Sequence, residues 1–210
     1  MGNPDFGSEE LLACVLGYRV KAHDRLMLDG AAFYNRYDNL ASGTVLPGEL
    51  RLLPEPYLLV RGTYGNDLFG EGYGAEVSAT WQPLDAWRIR AGYSLLKLNL
   101  HTRGPVPSIS EISEMDDPQQ QVFLWSDVEL GKQVECGIGF RYVDDRRDIG
   151  VSDYTALDAG LTWKPSRHCE VTLTGRNLFD PHHREGAPPA LSLKNVEVDR
   201  AVLAKVTLRF

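Results

Sequence analysis

The stretch VEVDRAVLAKVTLRF, residues 196–210, decides the fold. Val196, Val198, Val202, Ala204, Val206, Leu208 and Phe210 share one parity, while Glu197, Asp199, Lys205, Thr207 and Arg209 take the other. Arg200 and Leu203 break the pattern, but only singly. A period of two describes a β-strand with one apolar face and one polar face. Terminal residues of soluble domains usually fray into polar, poorly ordered chain. An alternation carried through to an aromatic ring therefore raises the question of what the apolar face touches.

The same alternation recurs upstream. In GYGAEVSATWQP, Tyr73, Ala75, Val77, Ala79 and Trp81 oppose Glu76, Ser78, Thr80 and Gln82. WRIRAGYSL sets Trp87, Ile89, Ala91, Tyr93 and Leu95 against Arg88, Arg90 and Ser94. VECGIGFRY sets Val134, Cys136, Ile138, Phe140 and Tyr142 against Glu135 and Arg141, and TALDAGLTW sets Leu157, Ala159, Leu161 and Trp163 against Asp158 and Thr162. CEVTLTGRN divides in the same way. Segments 11–20, 25–38 and 118–131 alternate more weakly, with Phe123 and Trp125 on the nominally polar side. No helical period competes, so the chain reads as all-β.

Composition excludes several classes. A net charge of −7 argues against a nucleic-acid partner, which needs clustered lysine and arginine. Hydrophobic content of 43% and charged content of 24% are those of a folded chain. Cys14, Cys136 and Cys169 lie far apart and indicate neither a zinc site nor a disulfide framework. Cofactor motifs are missing as well: the glycine-rich YGNDLFGEGYG precedes no helix, so it is not a phosphate cradle. No secretion signal follows Met1 and no apolar run is long enough for a membrane-spanning helix. Taken alone these features describe a soluble cytoplasmic chain, a reading the strand pattern overrides.

The connections alternate in length. Short links, AHD, PLD, GKQ and PSRH, separate long ones at 39–56, 101–117, 144–152 and 180–195. Tight turns at one end of a sheet and long loops at the other are the build of an outer-membrane β-barrel. The strands, about 12–15 residues each, also exceed the usual globular length of about 5–6. They are expected at 9–22, 25–38, 57–82, 86–100, 118–131, 132–146, 153–165, 168–179 and 196–210. Residues 57–82 form one double-length strand in this reading, with a kink or bulge at GNDLFGEG. Tyr73, Trp81, Trp87, Tyr93, Tyr142, Tyr154, Trp163 and Phe210 fall toward strand ends, as an interfacial aromatic girdle requires. Bacterial single-chain barrels have an even number of strands. Nine strands therefore read as an antiparallel meander forming part of a transmembrane barrel, the tail of a larger protein.

In order along the chain, GNPDFGSEELLACVLGYR, FYNRYDNL, YGAEVSATWQP, YTALDAGLTW, GRNLFDPHHRE and the terminal LRF resemble the C-terminal barrel of TonB-dependent outer-membrane receptors. The resemblance spans nearly all of 1–210, and RNLFD followed by a His/Glu-containing loop and a last strand ending in Phe is its most specific part. It implies a barrel of about 22 strands around an N-terminal plug, located in the outer membrane of a Gram-negative bacterium. It also implies uptake of a scarce nutrient chelate (ferric siderophore, haem or cobalamin class) with energy delivered by TonB. No plug, TonB box or signal stands in this sequence. The resemblance further implies that Phe210, with Leu208, Val206 and Ala204 on the same face, is the C-terminal signal read by the barrel-assembly machinery. Ligand contacts belong to the long loops, and none is assigned to a residue.

Other candidate chemistry is sparse. His182 and His183 lack spaced partners of known metal geometry and are expected on a solvated loop. His23, His101 and His168 stand alone in or beside turns. Asp144, Asp145 and Asp148 with Arg146 and Arg147 make a charged run expected to be solvated rather than catalytic. No enzyme is expected. Two alternatives remain open at this point: an outer-membrane barrel hydrolase, which would need a complete, even-stranded barrel, and a soluble β-sandwich binding domain, which would bury the apolar parity against a second sheet.

Overall fold

The computed structural model describes residues 3–104, 117–146, 150–186 and 197–210. The strands, in chain order, are β1 (Glu10–His23), β2 (Leu26–Val45), β3 (Glu49–Arg51), β4 (Tyr57–Leu59), β5 (Gly62–Leu84), β6 (Trp87–Thr102), β7 (Gln120–Leu130), β8 (Val134–Val143), β9 (Tyr154–Ser166), β10 (Cys169–Arg176), β11 (His182–Arg184), β12 (Glu197–Asp199) and β13 (Ala201–Leu208). No helix occurs among the described residues. Nine strands form one sheet in the order β1-β2-β5-β6-β7-β8-β9-β10-β13, and the hairpins β3-β4 and β11-β12 stand apart from it. Each strand of the large sheet thus neighbours the next long strand in sequence, the meander expected from the alternating link lengths.

The differences from the sequence reading are local. β2 continues to Val45, so the loop expected to begin at residue 39 starts several residues later. Asn39 takes a left-handed φ of 53°, which asparagine tolerates better than other side chains. The double-length strand starts at Gly62 rather than at 57, because Tyr57, Leu58 and Leu59 pair with Arg51, Leu50 and Glu49 instead. From Gly62 to Leu84 it runs without interruption through GNDLFGEG. The last expected strand breaks at Arg200, whose N–H donates to the Pro181 carbonyl at 3.0 Å. Val198 therefore pairs with His183 in a separate hairpin and not along the edge of the sheet. Residue 196 lies outside the described residues.

The described chain falls into two compact units, one made of Met1–Val15, Phe33–Gly74 and Leu96–Asp117, the other of Leu16–Ala32, Ala75–Leu95 and Pro118–Phe210. The first unit has a small interior with buried Leu68, Leu100 and Ser42. Asn66 cross-links it: its carbonyl accepts from the Gly7 N–H at 2.7 Å, and its amide donates to the Gly7 and Asn39 carbonyls at 3.2 and 2.7 Å.

In the second unit the two parities of the strands meet different surroundings. The polar parity of β7 to β10 lines a groove of about 830 Å³ with Asp127, Glu135, Asp158, Thr162, Thr174 and Arg176. The apolar parity is open: Ile138, Leu161, Trp163, Leu173 and Val206 are all exposed. Among the described residues no second sheet covers it, which is the reverse of a soluble sandwich. An apolar surface of this extent is costly in water and compatible with lipid.

Two aromatic side chains on the polar parity have a structural explanation. Phe123 pairs with Gly92, and Trp125 with Gly139. A Cβ added at Gly92 would lie 2.2 Å from Phe123 Cε1, and one at Gly139 would lie 1.9 Å from Trp125 Cε3. Each ring therefore fills the space beside the glycine opposite that a Cβ would occupy, covering backbone that has no side chain of its own. Trp125 Nε1–H also donates to Asp127 Oδ1 at 2.6 Å.

Candidate functional site

A connected polar cluster of the second unit grows from RNLFD. Asn177 directly follows β10 with a left-handed φ of 51°, turning the chain off the sheet. Its N–H donates to Asp158 Oδ1 of β9 at 2.9 Å, and the Leu178 N–H donates to the Leu157 carbonyl at 2.8 Å. Leu178 closes over Gly175, where an added Cβ would meet it at 2.8 Å. Asn177 is only 3% exposed, so its amide must find partners inside the protein.

Those partners come from the β11-β12 hairpin. Asn177 Nδ2 lies 3.0 Å from His183 Nδ1 and donates to the Val198 carbonyl at 3.3 Å. The carbonyl fixes the amide orientation, because turning Oδ1 toward it would place two acceptors together. His183 Nδ1 therefore accepts, and the imidazole proton sits on Nε2, which donates to Glu185 Oε1 at 3.1 Å. The His183 ring stacks on Tyr154 of β9 at 4.0 Å and 21°. Arg141 of β8 donates to Glu185 Oε1 at 2.9 Å and stands over the Tyr154 ring at 5.5 Å, and Arg146 donates to the Glu185 carbonyl at 2.8 Å. Burial pushes the pKa of the Glu185 carboxyl up, but the hydrogen bond from His183, the Arg141 guanidinium and the hydrogen bond from Tyr154 outweigh it. They hold the carboxyl below its ordinary value.

The first unit has a smaller cleft of about 460 Å³ with Arg36, Phe69 and His101 on its walls. Arg103 pairs with Asp38, donates to Asn39 Oδ1 at 2.9 Å and stands over the Phe69 ring at 5.3 Å. Tyr34 donates its hydroxyl to Glu71 Oε2 at 2.8 Å.

These positions correct parts of the sequence reading. His183 is buried in β11 rather than solvated on a loop, because the register of β11 with β12 turns it toward Tyr154, whereas His182 is exposed. Tyr154, expected in an aromatic girdle, is 9% exposed and covered by His183. His101 lies within β6 and contacts Phe69 at 5.7 Å rather than standing alone beside a turn. His23 ends β1, and His168 stands in the β9-β10 turn, its Nδ1 3.1 Å from the Arg209 carbonyl. Asp144 accepts from Tyr142 at 3.3 Å and Arg146 joins the Glu185 cluster, while Arg147 and Asp148 lie outside the described residues. Ala204, Val206 and Leu208 stand exposed on the edge strand β13, with Phe210 exposed beyond it. The sequence reading places Arg141 only on the polar parity of its strand and assigns no role to Asn177 or Glu185. The signals for them were RNLFD itself and the polar parity of VECGIGFRY.

Residues 1–178 match the sequence model of TonB-dependent receptor-like β-barrels. The chain belongs to the TonB-dependent receptor family. Over 119 residues it is 26% identical to the catecholate siderophore receptor Fiu of Escherichia coli strain K12, an alignment covering 52% of this chain and 15% of that protein. The crystal structure of the ferric-catecholate import receptor Fiu superposes with a TM-score of 0.70 at 21% identity, covering 99% of this chain and 29% of Fiu. The FrpB iron transporter from Neisseria meningitidis gives 0.74 at 14% identity over 100% of this chain and 32% of its own. The siderophore receptor PiuA from Acinetobacter baumannii gives 0.68 at 23% identity, covering 95% and 28%. The chain thus spans less than a third of these relatives. Membership places this TonB-dependent receptor barrel in the outer membrane of Gram-negative bacteria, in a family of receptors and transporters rather than enzymes.

Proposed function

We propose that this chain is the C-terminal part of the barrel of an active outer-membrane transporter that takes up a ferric siderophore, of the catecholate class, with energy delivered by TonB. The observation that carries the reading is the family match over residues 1–178, joined to a fold likeness along 99% of the chain to a ferric-catecholate receptor. The groove in the second unit supports it: charged and hydroxyl side chains on one parity suit a water-filled lumen, and the exposed apolar parity suits acyl chains. Ligand contacts are sought in the loops within 39–56, 101–117, 144–152 and 180–195. Phe210, with Leu208, Val206 and Ala204, serves as the assembly signal, because an exposed strand edge can template strand addition by a partner.

The test is uptake of radiolabelled iron under iron limitation by cells with and without the receptor that carries this chain. Catecholate, hydroxamate and haem complexes are supplied separately, each with TonB present or deleted. Catecholate-specific, TonB-dependent uptake lost with the receptor is expected. Uptake of every chelate unchanged on deletion would refute the proposal.

A further inference from the structure

The Asn177–His183 contact has an acid-sensitive geometry. Asn177 Nδ2 serves two acceptors at once, His183 Nδ1 at 3.0 Å and the Val198 carbonyl at 3.3 Å, while its Oδ1 is buried and has no hydrogen-bond partner among the described residues. A second proton on His183 would go to Nδ1, the atom that Asn177 now donates to. Two donors would then face each other. The amide can answer only by turning its Oδ1 toward Nδ1–H, which gives Oδ1 a partner and withdraws the donor from Val198 of β12. Histidine is the side chain that ordinarily titrates between pH 5 and 8.

We propose that His183 and Asn177 form an acid-released latch that ties the β11-β12 hairpin to the end of β10. At neutral pH the amide bridges imidazole and carbonyl. In mild acid the amide turns over, and among the described residues β12 keeps its ladder with β11, the Arg184–Glu197 pair and, just past its end, the bond from Arg200 N–H to the Pro181 carbonyl.

The groups facing the imidazole come from every neighbouring element. Glu185 Oε1 at 3.1 Å and Asp180 Oδ2 at 3.7 Å from Nδ1 favour the imidazolium. Arg141 and Arg146, both bonded to Glu185, oppose it. Tyr154 stacks on the ring, and Asp158 is occupied by the Asn177 N–H. The Arg184–Glu197 pair at 3.7 Å joins the two strands of the hairpin.

The latch is read by hydrogen–deuterium exchange of peptides covering 181–184 and 197–200, on the receptor carrying this chain in detergent micelles. Rates at pH 7.5 and 5.5 are corrected for intrinsic amide chemistry. Roughly a five-fold loss of protection in acid is expected, the population effect of one ordinary hydrogen bond. His183→Asn keeps an acceptor near the δ position that does not titrate at these pH values, and should abolish the acid response. Should that variant fail to fold, Glu185→Gln serves instead: removing the carboxylate that favours the imidazolium should move the transition to lower pH. Equal wild-type protection at both pH values, an undiminished response in His183→Asn, or an unmoved transition in Glu185→Gln would each overturn the proposal.

Discussion

Replacing Gly139 by alanine tests whether glycine–aromatic pairing holds the sheet in register. The new Cβ would stand 1.9 Å from Trp125 Cε3 and Cζ3 and 3.0 Å from Cδ2. Carbon atoms rest about 3.5–4.0 Å apart, so the shortfall is far too large for small adjustments. The indole must leave its place and with it the Nε1–H bond to Asp127. Overpacking of this kind costs about 1–3 kcal/mol, and the lost hydrogen bond adds about 1 kcal/mol. The neighbouring strand supplies the control. Gly160 on β9 pairs with Gly137, and an added Cβ there meets nothing within 4 Å. Gly160→Ala should be neutral or stabilise by a few tenths of a kcal/mol, because alanine restricts the unfolded chain. The assay is urea unfolding of the micelle-embedded receptor, read as loss of the compact, fast-migrating band on unheated gels. A cycle with Trp125→Ala then isolates the pair: once the ring is gone, Gly139→Ala should cost less than half its original penalty. Equal stability of Gly139→Ala and Gly160→Ala, or no coupling between Gly139 and Trp125, would refute the pairing argument.

Three further outcomes are expected. Asn177→Gly loses the bridge to His183 and Val198 but keeps the left-handed backbone, while Asn177→Ala adds a strain of about 1 kcal/mol; unfolding midpoints should fall in the order wild type, glycine, alanine, and a reversed order of the variants would remove the backbone argument. Glu185 has its carboxyl held below the ordinary value of 4.5, so its stabilising part is full above that pH and fades as the pH falls through the lowered native value; Glu185→Gln should flatten the stability profile in that acid range, as measured by urea midpoints against pH. Deleting Phe210 should lower the amount of receptor assembled in the outer membrane several-fold while leaving the unfolding midpoint of the assembled fraction unchanged; a matching loss of midpoint would assign Phe210 to packing.

The strand inventory was legible because period-two alternation is a local property: GYGAEVSATWQP and VECGIGFRY carry their two faces whatever they pair with. Errors gathered where the partner mattered. YLL, residues 57–59, reads as the start of a long strand, yet it pairs with residues 49–51, and nothing within those three residues distinguishes the two outcomes. VEV at 196–198 reads as continuous with the edge strand, yet Val198 faces His183. Phe123 and Trp125 broke the parity rule for a reason visible only once Gly92 and Gly139 stood opposite them.

The sequence by itself determined an all-β meander of nine long strands with tight turns and long loops, because alternation and turn composition act within a few residues. It also carried the resemblance to TonB-dependent receptors, since RNLFD and the terminal aromatic are contiguous signals. The tertiary structure alone decided that the apolar parity lies open while the polar parity lines a groove, for alternation is symmetric in its two faces. It alone joined Arg141, Tyr154, Asn177, His183 and Glu185, which stand up to 44 positions apart. Register between strands brings such residues together, and register depends on the summed pairing of whole strands, which no short stretch of sequence contains.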